Sequence, residues 1–191
     1  VRGMVGDAFT LMLDSTWAYD YPAAIRVGRA VERLGYYWYE DPLPDDDLYN
    51  YVKLKQHLSI PILATEYVPG GFTAYAPWLV ARATDYLRGD VAVKGGISAL
   101  VKTAHLAEAF HMNFEIHHGG NSLNNVANLH VAMAIRNCCP SAVAFAYASL
   151  VGCSTMTVQL SVGMRAATVS WVPRPTGVNS DHWGAEGAII G

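Results

Sequence analysis

Short apolar runs alternate with amphipathic stretches along most of this 191-residue chain, and nearly every run ends in an acid or a histidine. The runs are "TLMLD" (10–14), "YYWYED" (36–41), "IPILATE" (60–66), "YLRGDVAV" (86–93) and "NFEIH" (113–117). Between them lie "YPAAIRVGRAVERLG" (21–35), "DDLYNYVKLKQHL" (46–58), the weaker "TAYAPWLVARA" (73–83), "ISALVKTAHLAEAFH" (97–111) and "SLNNVANLHVAMAIRN" (122–137). In the first of these, Ile25, Ala30, Val31 and Leu34 recur at helical spacing and Gly35 supplies the stop. Ser122 is the expected cap of the last. Strand–helix alternation predicts parallel strands with helical crossovers, and near-continuous apolar runs suit strands buried on both faces. An open doubly wound sheet and a (β/α)₈ barrel both satisfy that order. The polar residues separate them. Asp14, Glu40, Glu66, Asp90 and His117 stand at successive strand ends, and only a barrel brings those ends to one mouth. The expected fold is therefore α/β, a partial (β/α)₈ TIM-type barrel of parallel strands with outer helices.

Composition bounds the function. Hydrophobic residues make up 52% and mean hydropathy is +0.17, enough for a buried core. The net charge of −3, with no basic cluster, argues against a nucleic-acid partner. No apolar run approaches the roughly 18 residues of a membrane span, and no leader segment is visible. Cys138, Cys139 and Cys153 match neither a disulfide framework nor a zinc spacing. A reduced, cytoplasmic protein is expected. Its partner is expected to be a small molecule, not nucleic acid or a membrane. The chain starts at Val1 and reaches its first strand almost at once, which reads as a piece of something longer. Beyond Cys139 only Arg165, Arg174, Asp181 and Glu186 carry charge. The sequence thus divides into a barrel-like part, 1–139, and an atypical low-charge tail, 140–191, which suits a shifted reading frame or a fused segment. The tail is expected to pack irregularly, with one or two strands and no acidic last barrel strand.

Asp14, Glu40 and Glu66 are equally spaced along the chain. Three converging carboxylates repel unless a cation neutralises them, and oxygen-only ligands favour Mg²⁺, with Mn²⁺ the alternative. The bland reading is three solvated loop starts, and equal spacing in one structural position counts against it. Asp90 and His117 continue the series as a carboxylate–imidazole dyad suited to moving a proton. Side chains alternate along a strand, so His117 and His118 cannot both face the mouth. His117 is expected there, within reach of Asp90, and His118 is expected to turn away. Gly95 and Gly96 serve a turn or cradle a phosphate. Lys94 is read as solvated. Asp45, Asp46 and Asp47 are read as caps of the following helix. Trp17, Tyr19 and Tyr67 line a pocket or pack.

Taken together, "LMLDSTWAYD", "WYEDPLPDDD", "ILATEYVPGG", "RGDVAVKGGI" and "EIHHGGNSLNN" resemble consecutive strand ends of the enolase superfamily, of the mandelate racemase and muconate lactonizing enzyme type. The resemblance runs from about residue 1 to 139. It implies that Asp14, Glu40 and Glu66 hold Mg²⁺, and that Asp90 and His117 form the acid–base dyad. The implied reaction removes the proton α to a carboxylate of a sugar acid or hydroxy acid, followed by loss of water. Racemisation or epimerisation is the alternative within enzymes, and a non-catalytic fragment is the alternative outside them. Family members also carry an N-terminal capping domain and earlier barrel strands, which this sequence does not show, and a homo-oligomer is expected of the full-length protein. The resemblance further implies that this stretch alone is inactive.

Overall fold

In the computed structural model, five parallel strands lie side by side in the order in which they occur along the chain. The structure describes residues 1–117 and 121–138, together with the backbone of three later strands. The parallel strands are β1 (Leu13–Asp14), β2 (Tyr39–Glu40), β3 (Ile62–Ala64), β4 (Tyr86–Gly89) and β5 (Asn113–Ile116). Each is shorter than the apolar run that contains it. Pro61, which has no N–H to donate, precedes β3, and flanking residues add single bonds such as Tyr37 N to Leu11 O at 2.7 Å.

A short helix, α1 (Arg2–Val5), precedes β1. The crossovers are α2 (Tyr21–Arg33), α3 (Leu48–His57), α4 (Ala76–Val80) and α5 (Ile97–Ala109), and α6 (Ser122–Ala134) follows β5. A 3₁₀ turn, Phe72–Tyr75, leads into α4, which accounts for the weak helical pattern there. Local chemistry sets the ends. Asp20 accepts from Ala23 N and Asp47 from Asn50 N, each filling an orphan donor of a first turn. At α6 the cap is Asn121, which accepts from Asn124 N at 3.0 Å; Ser122 is already helical. Gly35 follows α2 at φ 64°, a left-handed position that glycine adopts without strain.

The sheet buries both faces. Against the helices pack Leu13, Tyr39, Ile62, Leu87, Phe114 and Ile116. Tyr51 and Trp78 meet edge to face at 4.9 Å in the same layer. Met12, Trp38 and Leu63 form a separate cluster with Tyr37 and Tyr86, as the filled interior of a barrel requires. Each fully buried large apolar side chain contributes roughly 1.5–3 kcal/mol.

In the tail, β6 (Val158–Val162), β7 (Arg165–Trp171) and β8 (Ala188–Ile189) form an antiparallel sheet, three strands where one or two were expected. The rest of the tail and His118 lie outside the described residues. Among the described residues no helix is long and apolar enough to cross a membrane.

Candidate active site

The strand ends converge, but not by equal spacing. Asp14 and Glu40 are direct partners in the parallel register. Glu40, however, pairs with Leu63, so Glu66 stands three residues farther along its strand. Thr65 makes up the difference. It adopts φ 91°, a conformation costing a β-branched residue on the order of 1–3 kcal/mol. Its hydroxyl donates to Arg88 O and accepts from Arg88 N, both at 3.1 Å. That clasp breaks the two-residue alternation and brings Glu66 into the mouth.

Glu40 is fully buried and accepts from the Trp38 indole N–H at 3.0 Å. Arg88 pairs with Glu40 and stands 3.5 Å from Glu66 through Nε. Glu40, Asp41 and Glu66 bring carboxylate oxygens within 4.8 Å of one another, a grouping that could hold a metal ion. Asp14 lies outside this tightest group but within electrostatic reach of Arg88 and Glu66. Asp41 was not singled out from the sequence. It is buried, sits at φ 38°, and neither of its carboxylate oxygens has a hydrogen-bond partner.

Burial pushes Asp14, Glu40 and Asp41 up. Asp14 is raised to about 6, with Arg88 opposing. Glu40 lies well above the usual range because burial and the neighbouring acids outweigh Arg88. Asp41 is raised by burial and then by Asp45. For Arg88, burial disfavours the charge, but the surrounding carboxylates outweigh it and raise its pKa. Four buried carboxylates thus face one guanidinium, and that surplus of negative charge, all on hard oxygen donors, fits a divalent cation such as Mg²⁺.

The dyad assembles beside this cluster. His117 N donates to Gly89 O, continuing the β4–β5 ladder, so Asp90 and His117 stand level. His117 Nδ1 lies 2.9 Å from Asp90 Oδ2 and Nε2 lies 3.1 Å from Glu66 Oε1. Two amides from α6 complete it. Asn124 donates to both Asp90 oxygens at 3.0 Å, and Asn128 donates to Asp90 Oδ2 at 3.1 Å and to His117 O at 3.0 Å. Burial would raise the Asp90 carboxyl, but bonds from His117, Asn124 and Ala92 N outweigh it and hold it at about 2. The amides are spaced i, i+4, which places them on one helix face. That spacing was legible in "NNVAN", but nothing in the sequence said which face met the strand end.

Two expectations change here. Lys94 is not solvated: it is buried, its ammonium donates to Val68 O and lies 5.2 Å from the Tyr75 ring centre. Burial lowers it to about 8, with Asp45 and Asp41 opposing. Only Asp47 of the three adjacent acids caps α3. Asp45 instead is buried and accepts from Tyr67 N at 2.6 Å, because the chain turns inward after Pro44. Gly95 and Gly96 take φ values of 91° and 94°, consistent with the turn role.

A cavity of about 470 Å³ opens beside Glu66, lined by Thr16, Trp17, Pro44, Asp45 and Tyr67. Thr16 and Trp17 hold φ values of 47° and 57°, two left-handed non-glycine residues in succession.

A model of the family described as "Enolase C-terminal domain-like" matches residues 1–169. The chain belongs to that family. Arabinonate dehydratase of Saccharolobus solfataricus is 30% identical over 142 residues, which are 72% of this chain and 36% of that protein. The crystal structure of D-glucarate dehydratase from Agrobacterium tumefaciens, complexed with magnesium, is 40% identical with a TM-score of 0.66, over 72% of this chain and 35% of that one. A mandelate racemase/muconate lactonizing enzyme from Sulfitobacter sp. is 28% identical with a TM-score of 0.67, over 72% and 34%. The resemblance read from the five strand-end motifs therefore holds, and the parallel sheet is part of a TIM-type barrel. The chain spans about a third of the length of these relatives.

Proposed function

We propose that the enolase-family protein carrying this chain is an acid-sugar dehydratase dependent on Mg²⁺, with Mn²⁺ the alternative, and that residues 1–139 carry its chemistry. The observation that supports this most is His117 held between Asp90 and Glu66 at the rim of a carboxylate cluster. Asp14, Glu40 and Glu66 would hold the cation, with Asp41 close enough to join them. When bound, the cation offsets negative charge developing on the substrate carboxylate and so eases removal of a weakly acidic proton.

The chain's own residues handle that proton. With Glu66 engaged in holding the cation and Asp90 accepting from Nδ1, His117 would present Nε2 to the substrate as the base. Nε2 takes the α-proton, and Asp90, fixed by Asn124 and Asn128, stabilises the imidazolium. The electron pair left at the α-carbon forms the carbon–carbon double bond as the β-carbon–oxygen bond breaks. His117 returns its proton to the departing hydroxyl, and water leaves. The resulting enol tautomerises to a 2-keto-3-deoxy acid. Dehydration is favoured over racemisation because arabinonate and D-glucarate dehydratases are among the relatives, and the same names favour a small carboxylate substrate.

The test incubates the full-length protein with Mg²⁺ and a panel of aldonic and aldaric acids and follows 2-keto acid formation. His117→Asn should abolish turnover while Mg²⁺ affinity, read by calorimetry, stays close to wild type. α-Deuterium exchange without loss of water would replace dehydration with racemisation.

A further inference from the structure

The cavity beside Glu66 has a wall that the proton chemistry does not use. Tyr67 stands edge to face with His117 at 6.3 Å between ring centres, and with Trp17 at 5.3 Å on its other side. The three rings run in succession from the dyad into the cavity. Tyr67 is 46% exposed and Trp17 is half-buried, so both keep surface towards the open space. Asp45 ties the corner together: it accepts from Tyr67 N at 2.6 Å and lines the cavity with Trp17. The turn that presents Trp17 keeps two strained residues, and is held by Thr16 N to Asp14 Oδ1 at 2.9 Å and Trp17 N to Asp41 O at 2.7 Å.

We infer that Trp17 and Tyr67 form the subsite for the distal, hydroxylated end of an acid-sugar chain, with Asp45 as a positioning residue. This rests on the dehydratase reading for its substrate class. A substrate whose α-carbon meets His117 Nε2 extends its remaining carbons along Tyr67 towards Trp17. The C–H edges of a polyol carry slight positive charge and pack on the negative face of an aromatic ring, while the hydroxyls stay in the open part of the cavity. Flat rings thus select chain length more than the configuration of any one hydroxyl.

The experiment compares D-gluconate, with six carbons, against D-glycerate, which keeps the reacting α and β positions and lacks the distal chain. In the full-length protein, Trp17→Ala should lower the kcat/KM ratio for gluconate over glycerate by about tenfold or more, mostly through the KM for gluconate. Trp17→Phe keeps an aromatic face and should hold that ratio within about twofold of wild type. Asp45→Ala should reproduce the KM effect; a fall in kcat for both acids alike would make Asp45 merely structural. Saturation-transfer NMR reads the same contact without turnover: saturating the aromatic protons should mark the C4–C6 protons of gluconate in wild type, and Trp17→Ala should lose the mark. An equal loss for both acids, or no marking of the distal protons, overturns the subsite. Distal marking without turnover would sink the dehydratase reading and leave the subsite standing.

Discussion

Asp90 combines burial with four donors, and its depressed pKa has a thermodynamic consequence. A carboxyl held at about 2 when folded, below its usual 3.8, adds stability above about pH 4 that is lost as pH falls towards 2. Asp90→Asn should therefore cost about 1–2 kcal/mol at neutral pH and progressively less in acid, as denaturant melts across that range would show. Lys94 has the opposite sign. Its charged form is disfavoured in the fold, at about 8 against the usual 10.5, so the unfolded chain binds more protons between those values. Stability relative to Lys94→Met should rise as pH climbs from 8 towards 10, and thermal melts of the two proteins would check it. A flat difference would show that Asp45 and Asp41 neutralise the ammonium more fully than the burial implies.

At the scale of the elements, β4 is closely packed at its last residue. Gly89 lies beside Asp90 where a Cβ would meet Tyr75 Oη at 2.6 Å, the Leu100 side chain at 2.8 Å and Phe114 at 3.1 Å. Tyr75 is also committed, since its hydroxyl donates to Arg88 O at 3.0 Å. Overpacking of this kind typically costs about 1–3 kcal/mol, so Gly89→Ala should fall in that range by chemical denaturation. Because Gly89 O receives His117 N, the same change should disturb the dyad, and the His117 ring resonances in NMR should shift. A stable variant with unmoved resonances would mean that α5 yields easily. Run order and helix positions were legible because apolar spacing reports them. The paired lengths were not, since pairing depends on neighbours distant in sequence.

On the scale of the whole molecule, the barrel mouth concentrates negative charge that the fold only partly offsets. Arg88 is the guanidinium that neutralises Glu40 and Glu66. Breaking a buried ion pair from one side typically costs about 3–5 kcal/mol, and Arg88→Met should lose stability on that scale without divalent cation. If Mg²⁺ binds the native cluster as proposed, it should recover part of the loss by mass action, raising the melting temperature of the variant more than that of wild type. Equal shifts in both would mean that the cation binds away from Arg88. Glu40→Gln should weaken Mg²⁺ binding more than Asp45→Asn, because Glu40 lies inside the acid group while Asp45 faces Tyr67 and the aromatic corner.

Apolar periodicity, helix stops and the acids at strand ends are local or short-range properties. From them the sequence alone determined the β/α order, the barrel over the open sheet, and the candidates Asp14, Glu40, Glu66, Asp90 and His117. What tertiary structure decided depends on which groups meet. Thr65 turns Glu66 inward through a bond to the neighbouring strand, so equal spacing was a guide to convergence and not its cause. Asp41 joins Glu40 and Glu66 more closely than Asp14 does because the backbone twists to a positive φ immediately after Glu40. Asn124 and Asn128 clamp Asp90 because α6 packs one particular face against β5's end, and Lys94 is buried because Val68 O and the Tyr75 ring receive it. A hydrogen bond or an ion pair needs two partners in register, and a single chain position carries information about only one of them.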